Sequence, residues 1–221
     1  AALELRPKFG KAAVTTLTRI DGWPVGMIAN QPMVMAGAID SDASDKIARF
    51  IQLCDAYDIP LLFLCDTPGL MVGPEVEKTA LVRHSARILI ALANATTPHM
   101  TVVLRKAYGL GYYVMGGAAT EPDLLLAWPT AEFGGMGLEG AVNIIYRKEL
   151  GTMEDEAEKA ALHKLRTDEL RTYHTALATA ERFHVDDVVD PANTRAILSN
   201  TLAALPAPCP QRSRKRVIEP W

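Results

Sequence analysis

Three observations predict an α/β layered fold. Continuous apolar runs at 61–65, 99–104 and 124–128 read as strands buried on both faces. Segments with apolar residues at helical spacing alternate with them. Turn signals rich in Gly, Pro and Asp separate the two kinds of segment. Strands that alternate with helices imply helices layered over a sheet.

The elements follow in chain order. Residues 13–20 (AVTTLTRI) and 25–29 (VGMIA) are strand-like and flank Asp21-Gly22, a strong hairpin signal. From 42 to 57, Ile47, Phe50, Ile51, Cys54 and Tyr57 recur at helical spacing. Pro60 opens the strand LLFLC, which ends in the turn Asp66-Thr67-Pro68-Gly69. A helix is expected from about 77 to 95. The next strand, 99–104, is expected to stop at the cations Arg105 and Lys106. A glycine-spaced stretch that looks helical comes after it, GLGYYVMGG at 109–117, and then the strand at 124–128. One long charged helix is expected over about 154–181 and a last one after Pro191.

Length and composition bound the function. With 221 residues and 24.0 kDa the chain can bury a real core. The reading is one domain over 1–205 and a basic tail over 206–221. The tail carries Arg212, Arg214, Lys215 and Arg216 against Glu219, so the net charge of -3 hides a distinctly acidic body. Such a body is a poor partner for nucleic acid. No apolar run approaches the ~20 residues of a membrane span, and no signal-peptide pattern opens the sequence. Cys54, Cys65 and Cys209 are odd in number and form no C-x-x-C pair, which reads as reduced thiols in a cytoplasmic protein. With no H-E-x-x-H and scattered histidines, no metal is expected.

The glycine stretch asks for an explanation, because glycine inside a helix costs ~1 kcal/mol against alanine. A dinucleotide fingerprint fails on spacing: Gly109 and Gly111 fit, but Val114 stands at the third glycine position. A nucleotide hydrolase lacks any G-x-x-x-x-G-K-[ST]. Two readings stay open. The glycines either expose helix-start N–H groups as an oxyanion hole, or they let helix and sheet pack closely. Pro68-Gly69-Leu70 also follows a buried strand and precedes a helix, so two neighbouring turns could aim amides at one point. That arrangement suits acyl or enolate chemistry with no catalytic side chain.

Five stretches carry a family resemblance: ANQPMVMAGAID (29–40), LCDTPGL (64–70), RKAYGLGYYVMGG (105–117), AWPTAEFGGMGLEGAVNI (127–144) and DDVVDPANTR (186–195). Together they resemble the carboxyltransferase (beta) subunits of biotin-dependent acyl-CoA carboxylases, of propionyl-CoA or acetyl-CoA carboxylase type. The resemblance covers residues 14–202 and matches that family's C-terminal, biotin-side domain. It implies a crotonase-like fold, a ββα spiral of sheets surrounded by helices. It also implies biotin on a separate carrier, an acyl-CoA substrate, a partner N-terminal domain that grips coenzyme A, a biotin carboxylase or carrier subunit, and homo-oligomers. The chain would then be a fragment or a separately encoded subunit, inactive without its N-terminal partner.

The implied chemistry moves a carboxyl group from carboxybiotin to the α-carbon of a short acyl-CoA through backbone oxyanion holes. The hole for the biotin ureido oxygen falls on the amides of Leu110 and Gly111, where typical relatives have Gly and Ala. Gly109, Gly69 and Leu70 become cofactor-binding positions, with Gly69 and Leu70 as possible sources of a second amide donor. Tyr113 falls where the family lines its acyl pocket. Valine at Gly111 is expected to leave the fold standing, since the position lies at a helix start. Two alternatives remain: the carboxyltransferase subunit of a biotin-dependent decarboxylase, and a non-catalytic assembly domain of the same fold.

Overall fold

The computed structural model describes residues 2–205. The basic tail and Cys209 lie outside them.

The chain opens with β1 (Leu3–Glu4), β2 (Ala13–Ile20) and β3 (Trp23–Asn30), joined antiparallel. Ile20 pairs with Trp23 across the predicted Asp21-Gly22 turn, where both residues have positive φ. Then α1 (Ser41–Ala56) begins at Asp40, whose side chain accepts from Ala43 N–H. It returns the chain to β4 (Leu61–Thr67), parallel to β3.

The helix expected over 77–95 is two pieces, α2 (Pro74–Glu77) and α3 (Leu81–Asn94). Between them Ala80 takes a left-handed φ of 55°, which no helix tolerates. The strand expected at 99–104 also differs, because β5 (His99–Tyr108) runs straight through both cations. It changes neighbours on the way. It pairs with β6 (Leu124–Ala127) up to Val103, then with β7 (Glu132–Gly134) from Lys106. Between β5 and β6 in sequence stands α4 (Gly109–Val114).

After β7 come α5 (Leu138–Ile145) and α6 (Arg147–Gly151). The long charged helix is also divided, into α7 (Glu156–Tyr173) and α8 (Ala176–Ala180), because Thr175 caps a new helix by accepting from Ala178 N–H. The chain closes with β8 (Asp187–Val188) and α9 (Thr194–Ala204).

The sheet order is β1-β2-β3-β4-β5-β6-β8, with β7 on β5. Its central strands carry side chains to two cores. Leu61, Phe63 and Cys65 of β4 meet Ile47 and Ile51 of α1 and Ile88 of α3. Leu62 faces the other way, with Met100, Val102, Leu126 and Leu198 and Leu202 of α9. Period-two alternation between two apolar layers explains why these strands read as unbroken apolar runs. Among the described residues no helix is long and apolar enough to cross a membrane, and no group of three His, Cys, Asp or Glu side chains gathers to hold a metal ion.

Candidate active site

Because β4 and β5 are parallel neighbours, their carboxyl ends reach one edge of the sheet, where open α/β sheets keep their ligands. Below that edge Asp66 and Arg105 lock the strands together. Arg105 donates from Nε at 3.3 and 3.2 Å and from Nη2 at 3.0 Å to the Asp66 carboxylate, which also accepts from Lys106 N–H. Asn30 Oδ1 accepts from Asp66 N–H at 3.0 Å. The cation expected to end the strand is thus neutralised across it, which is why β5 continues.

The turn after β4 is closed by its own threonine. Thr67 Oγ1 accepts from Gly69 N–H at 3.1 Å and donates to Gly69 O at 3.2 Å. Gly69 O also accepts from Ile39 N–H, and Met71 N–H donates to Ile39 O. The Gly69 amide is therefore engaged, which removes it as a second donor. Leu70 N–H has no partner among the described residues.

The turn after β5 is different. Gly109 has φ 53°, and a Cβ there would lie 2.9 Å from Gly135 O, so only glycine fits. Helix α4 follows with no side-chain cap. The N–H groups of Leu110 and Gly111 belong to its first turn and have no partner among the described residues. With six residues α4 has little dipole, so these two donors matter more than the helix field.

Gly111 is buried, and its missing side chain has a separate cause. A Cβ there would lie 2.6 Å from Gly69 Cα, 2.8 Å from Gly69 C and 3.1 Å from Thr67 Cγ2. The two glycine turns touch backbone to backbone. This overturns the expectation that valine at 111 leaves the fold standing.

Beside the second turn opens a cleft of about 520 Å³, lined among others by Gly109, Tyr113, Phe133, Gly135, His174 and Arg182. Tyr113 is 42% exposed on its wall. Tyr112 is the structural member of the pair. Its hydroxyl accepts from Ala118 N–H at 3.1 Å and its ring meets Phe133 edge-on at 5.5 Å. Burial pushes its phenol up to about 12 against the Ala118 hydrogen bond. Next to these lining residues in sequence, Tyr108 donates to Glu132, which binds Arg171 of α7 at 2.9 Å. The structure thus gathers Gly69, Leu70, Gly109, Leu110, Gly111 and Tyr113 at one edge. Sequence reasoning passed over Asp66, Thr67 and Arg182. For Thr67 a signal existed, since a threonine two residues before a glycine commonly turns onto that backbone.

Compared with known families, residues 2–216 match the carboxyl transferase domain. The chain belongs to the carboxyl transferase domain family. Among curated members of this family, methylmalonyl-CoA decarboxylase subunit alpha of Propionigenium modestum is 44% identical over 194 residues, 87% of this chain and 37% of that one. The propionyl-CoA carboxylase beta chain of Cereibacter sphaeroides is 39% identical over 218 residues, 99% of this chain and 40% of that one. The solved transcarboxylase 12S hexamer, with methylmalonyl-coenzyme A bound, superposes with a TM-score of 0.86 at 39% identity, over 97% of this chain and 42% of that one. The carboxyl transferase chain described here therefore spans about two fifths of the length of these relatives. Its fold is the crotonase-like one that the resemblance implied.

Proposed function

We propose that this chain is the biotin-side half of an acyl-CoA carboxyltransferase, and that Leu110 and Gly111 act in it through their main-chain N–H groups. One observation carries the reading: two unpartnered amide donors stand at the start of α4, beside a cleft, in a carboxyl transferase domain. Biotin on its carrier, when bound, supplies the carboxyl group and then the base for the α-proton of the acyl-CoA. The two N–H groups fit its ureido oxygen. They hold that oxygen as charge collects on it, and fixed donors in a water-poor site are worth ~3 kcal/mol each. Gly109 supplies the left-handed turn that aims them, Leu70 N–H is the remaining amide at the edge, and Tyr113 bounds the acyl group. No side chain of this site has to gain or lose a proton.

The other oxyanion, on the acyl thioester, needs donors from elsewhere, so a partner N-terminal domain completes the site. Met33, Val72, Leu110 and Met136 support this. Each is an exposed apolar residue in a segment leaving the carboxyl end of β3, β4, β5 or β7, so all lie on the edge a partner would cover. Homo-oligomers and a cytoplasmic location, the latter from the reduced-thiol cysteine usage, belong to the same reading. A decarboxylase subunit is the second reading, favoured by the 44% identity to methylmalonyl-CoA decarboxylase subunit alpha.

The test is Leu110→Pro. Proline is tolerated in a first helical turn and removes one donor without adding bulk at Gly69. The chain alone is expected to be inactive in decarboxylating methylmalonyl-CoA with free biotin, and an added N-terminal half restores turnover. In that complex the variant should lose ~100-fold or more in kcat at nearly unchanged melting temperature. Full activity of a folded Leu110→Pro complex rejects the amide reading, and turnover by the chain alone rejects the divided site. Assaying both directions separates carboxylase from decarboxylase.

A further inference from the structure

Far along the sheet from the glycine turns, α1 packs over β1 and β2 and leaves a cavity of about 240 Å³. Three cations line it: Arg6, Lys46 and Arg49. Lys46 is 1% exposed and gives one hydrogen bond, to Ala13 O at 2.7 Å. Arg49 Nη1 is buried with no hydrogen-bond partner, and Arg49 has no ion-pair partner among the described residues. Burial and then the charge of Arg49 lower the pKa of Arg6. Burial lowers that of Lys46, with Glu4 opposing and Arg6 adding to the effect. The cations therefore stand close enough to repel one another around one small space.

Arg49 itself is half-buried, but a buried guanidinium nitrogen left without a partner is costly, and each such group in a native structure calls for an explanation. Here charge and shape point the same way. Lys46 and Arg49, neither ion-paired among the described residues, bring two positive charges to one small space, which matches a dianion rather than a single carboxylate. Leu5, Phe50 and Leu53 form an apolar wall on the same cavity. Its volume is below the roughly 300–1,000 Å³ of pockets for drug-sized ligands.

We propose that this pocket binds a small phosphate monoester, its dianion held by Arg49, Lys46 and Arg6 and its organic part laid against Leu5, Phe50 and Leu53. Arg49 supplies the planar fork that matches two phosphate oxygens. The site is independent of the carboxyl-transfer reading, because it shares no residue with the cleft or the glycine turns.

The experiment is calorimetric titration of the 221-residue chain and of Arg49→Gln with butyl phosphate at fixed ionic strength. Melting curves of both proteins accompany it. Saturable binding is expected, with a melting temperature that rises with ligand concentration. Arg49→Gln should bind at least ~10-fold more weakly, equivalent to ~1.4 kcal/mol, and melt no lower than the parent without ligand. The basic tail is present in both proteins, so non-specific anion binding cancels. Arg49→Lys, which keeps the charge and loses the fork, should fall between them. Coenzyme A and dephospho-coenzyme A distinguish a coenzyme 3′-phosphate from a free phosphate monoester as the source. Equal responses of the parent and Arg49→Gln, or a response to butyl phosphate no larger than to butyrate, overturn the proposal.

Discussion

The turns after β4 and β5 share a local plan of buried parallel strand, glycine and helix, yet they differ in how many amides they leave without a partner. Thr67 and Ala107 stand side by side in the ladder, each two residues before its glycine. In the first turn the Thr67 hydroxyl takes the Gly69 N–H and seals the loop. In the second, Ala107 has no hydroxyl, and the N–H groups of Leu110 and Gly111 have no partner among the described residues. The first turn is closed on its own backbone by one hydroxyl and keeps one unpartnered amide, Leu70 N–H, while the second has no hydroxyl at the matching position and keeps two. Glycine spacing cannot reveal this, because the deciding group belongs to a neighbouring position.

The largest effect is expected where the turns meet. Gly111→Val sets a branched side chain against Gly69 backbone, which cannot swing aside as a side chain would. A loss of ~3 kcal/mol or more is expected in urea unfolding. A midpoint within error of the parent would show that the turns do not press on each other.

Thr67→Val should follow. It keeps the shape, removes the hydroxyl and leaves the Gly69 N–H unsatisfied, at a cost of ~1–3 kcal/mol. The same melt should leave cleft residues undisturbed by NMR. If Thr67→Val is neutral, the first turn is not closed by its threonine and the contrast with Ala107 collapses.

Tyr113→Ala probes the second turn alone. Removing the ring from the cleft wall should shift preference toward longer acyl-CoAs by about tenfold to a few hundredfold, the ~1–3 kcal/mol that one or two methylenes allow. Specificity constants for acetyl-, propionyl- and butyryl-CoA in the completed complex measure it. An unchanged ratio makes the ring structural.

The smallest effect lies at the other end of β5 and serves as a control for the strand itself. Burial lowers the pKa of His99 below its ordinary 6.5, with Asp123 opposing, and its ring bonds Thr120 Oγ1 at 3.1 Å. As pH falls below 6.5 the unfolded chain takes up a proton that the folded chain resists, so stability is lost toward the lowered folded value. His99→Gln should flatten that acid-side loss and leave the neutral-pH behaviour of both turns alone. Identical stability–pH curves would remove His99 as a contributor.

Much of the fold was legible because apolar periodicity is a local signal. The hairpin, α1, β4, β6 and α9 lie close to where hydrophobic spacing puts them. What stayed hidden depends on groups far apart in sequence. Arg105 reads as a strand-end cation, either solvated or orienting a nearby carboxylate, and only the fold shows that carboxylate to be Asp66, 39 positions away. The breaks at Ala80 and before Thr175 interrupt helices whose composition gives little warning. The resemblance pointed to Leu110 and Gly111, but the physical need for glycine at 111 comes from Gly69. The buried charge of Lys46 was invisible because an amphipathic helix with a lysine at that spacing normally turns it to water.

The contact between Gly69 and Gly111 also sets how this sequence can change over generations. Position 111 cannot gain a side-chain carbon unless the turn 42 positions earlier moves first, whereas at Gly69 a Cβ would meet only Tyr108 O at 3.7 Å and the bar is its φ of 130°. A substitution at 111 should therefore couple to any change that shifts the turn after β4, so the two sites should not add independently. Anyone transplanting the glycine segment of another carboxyl transferase domain into this scaffold would have to carry the turn after β4 along with it.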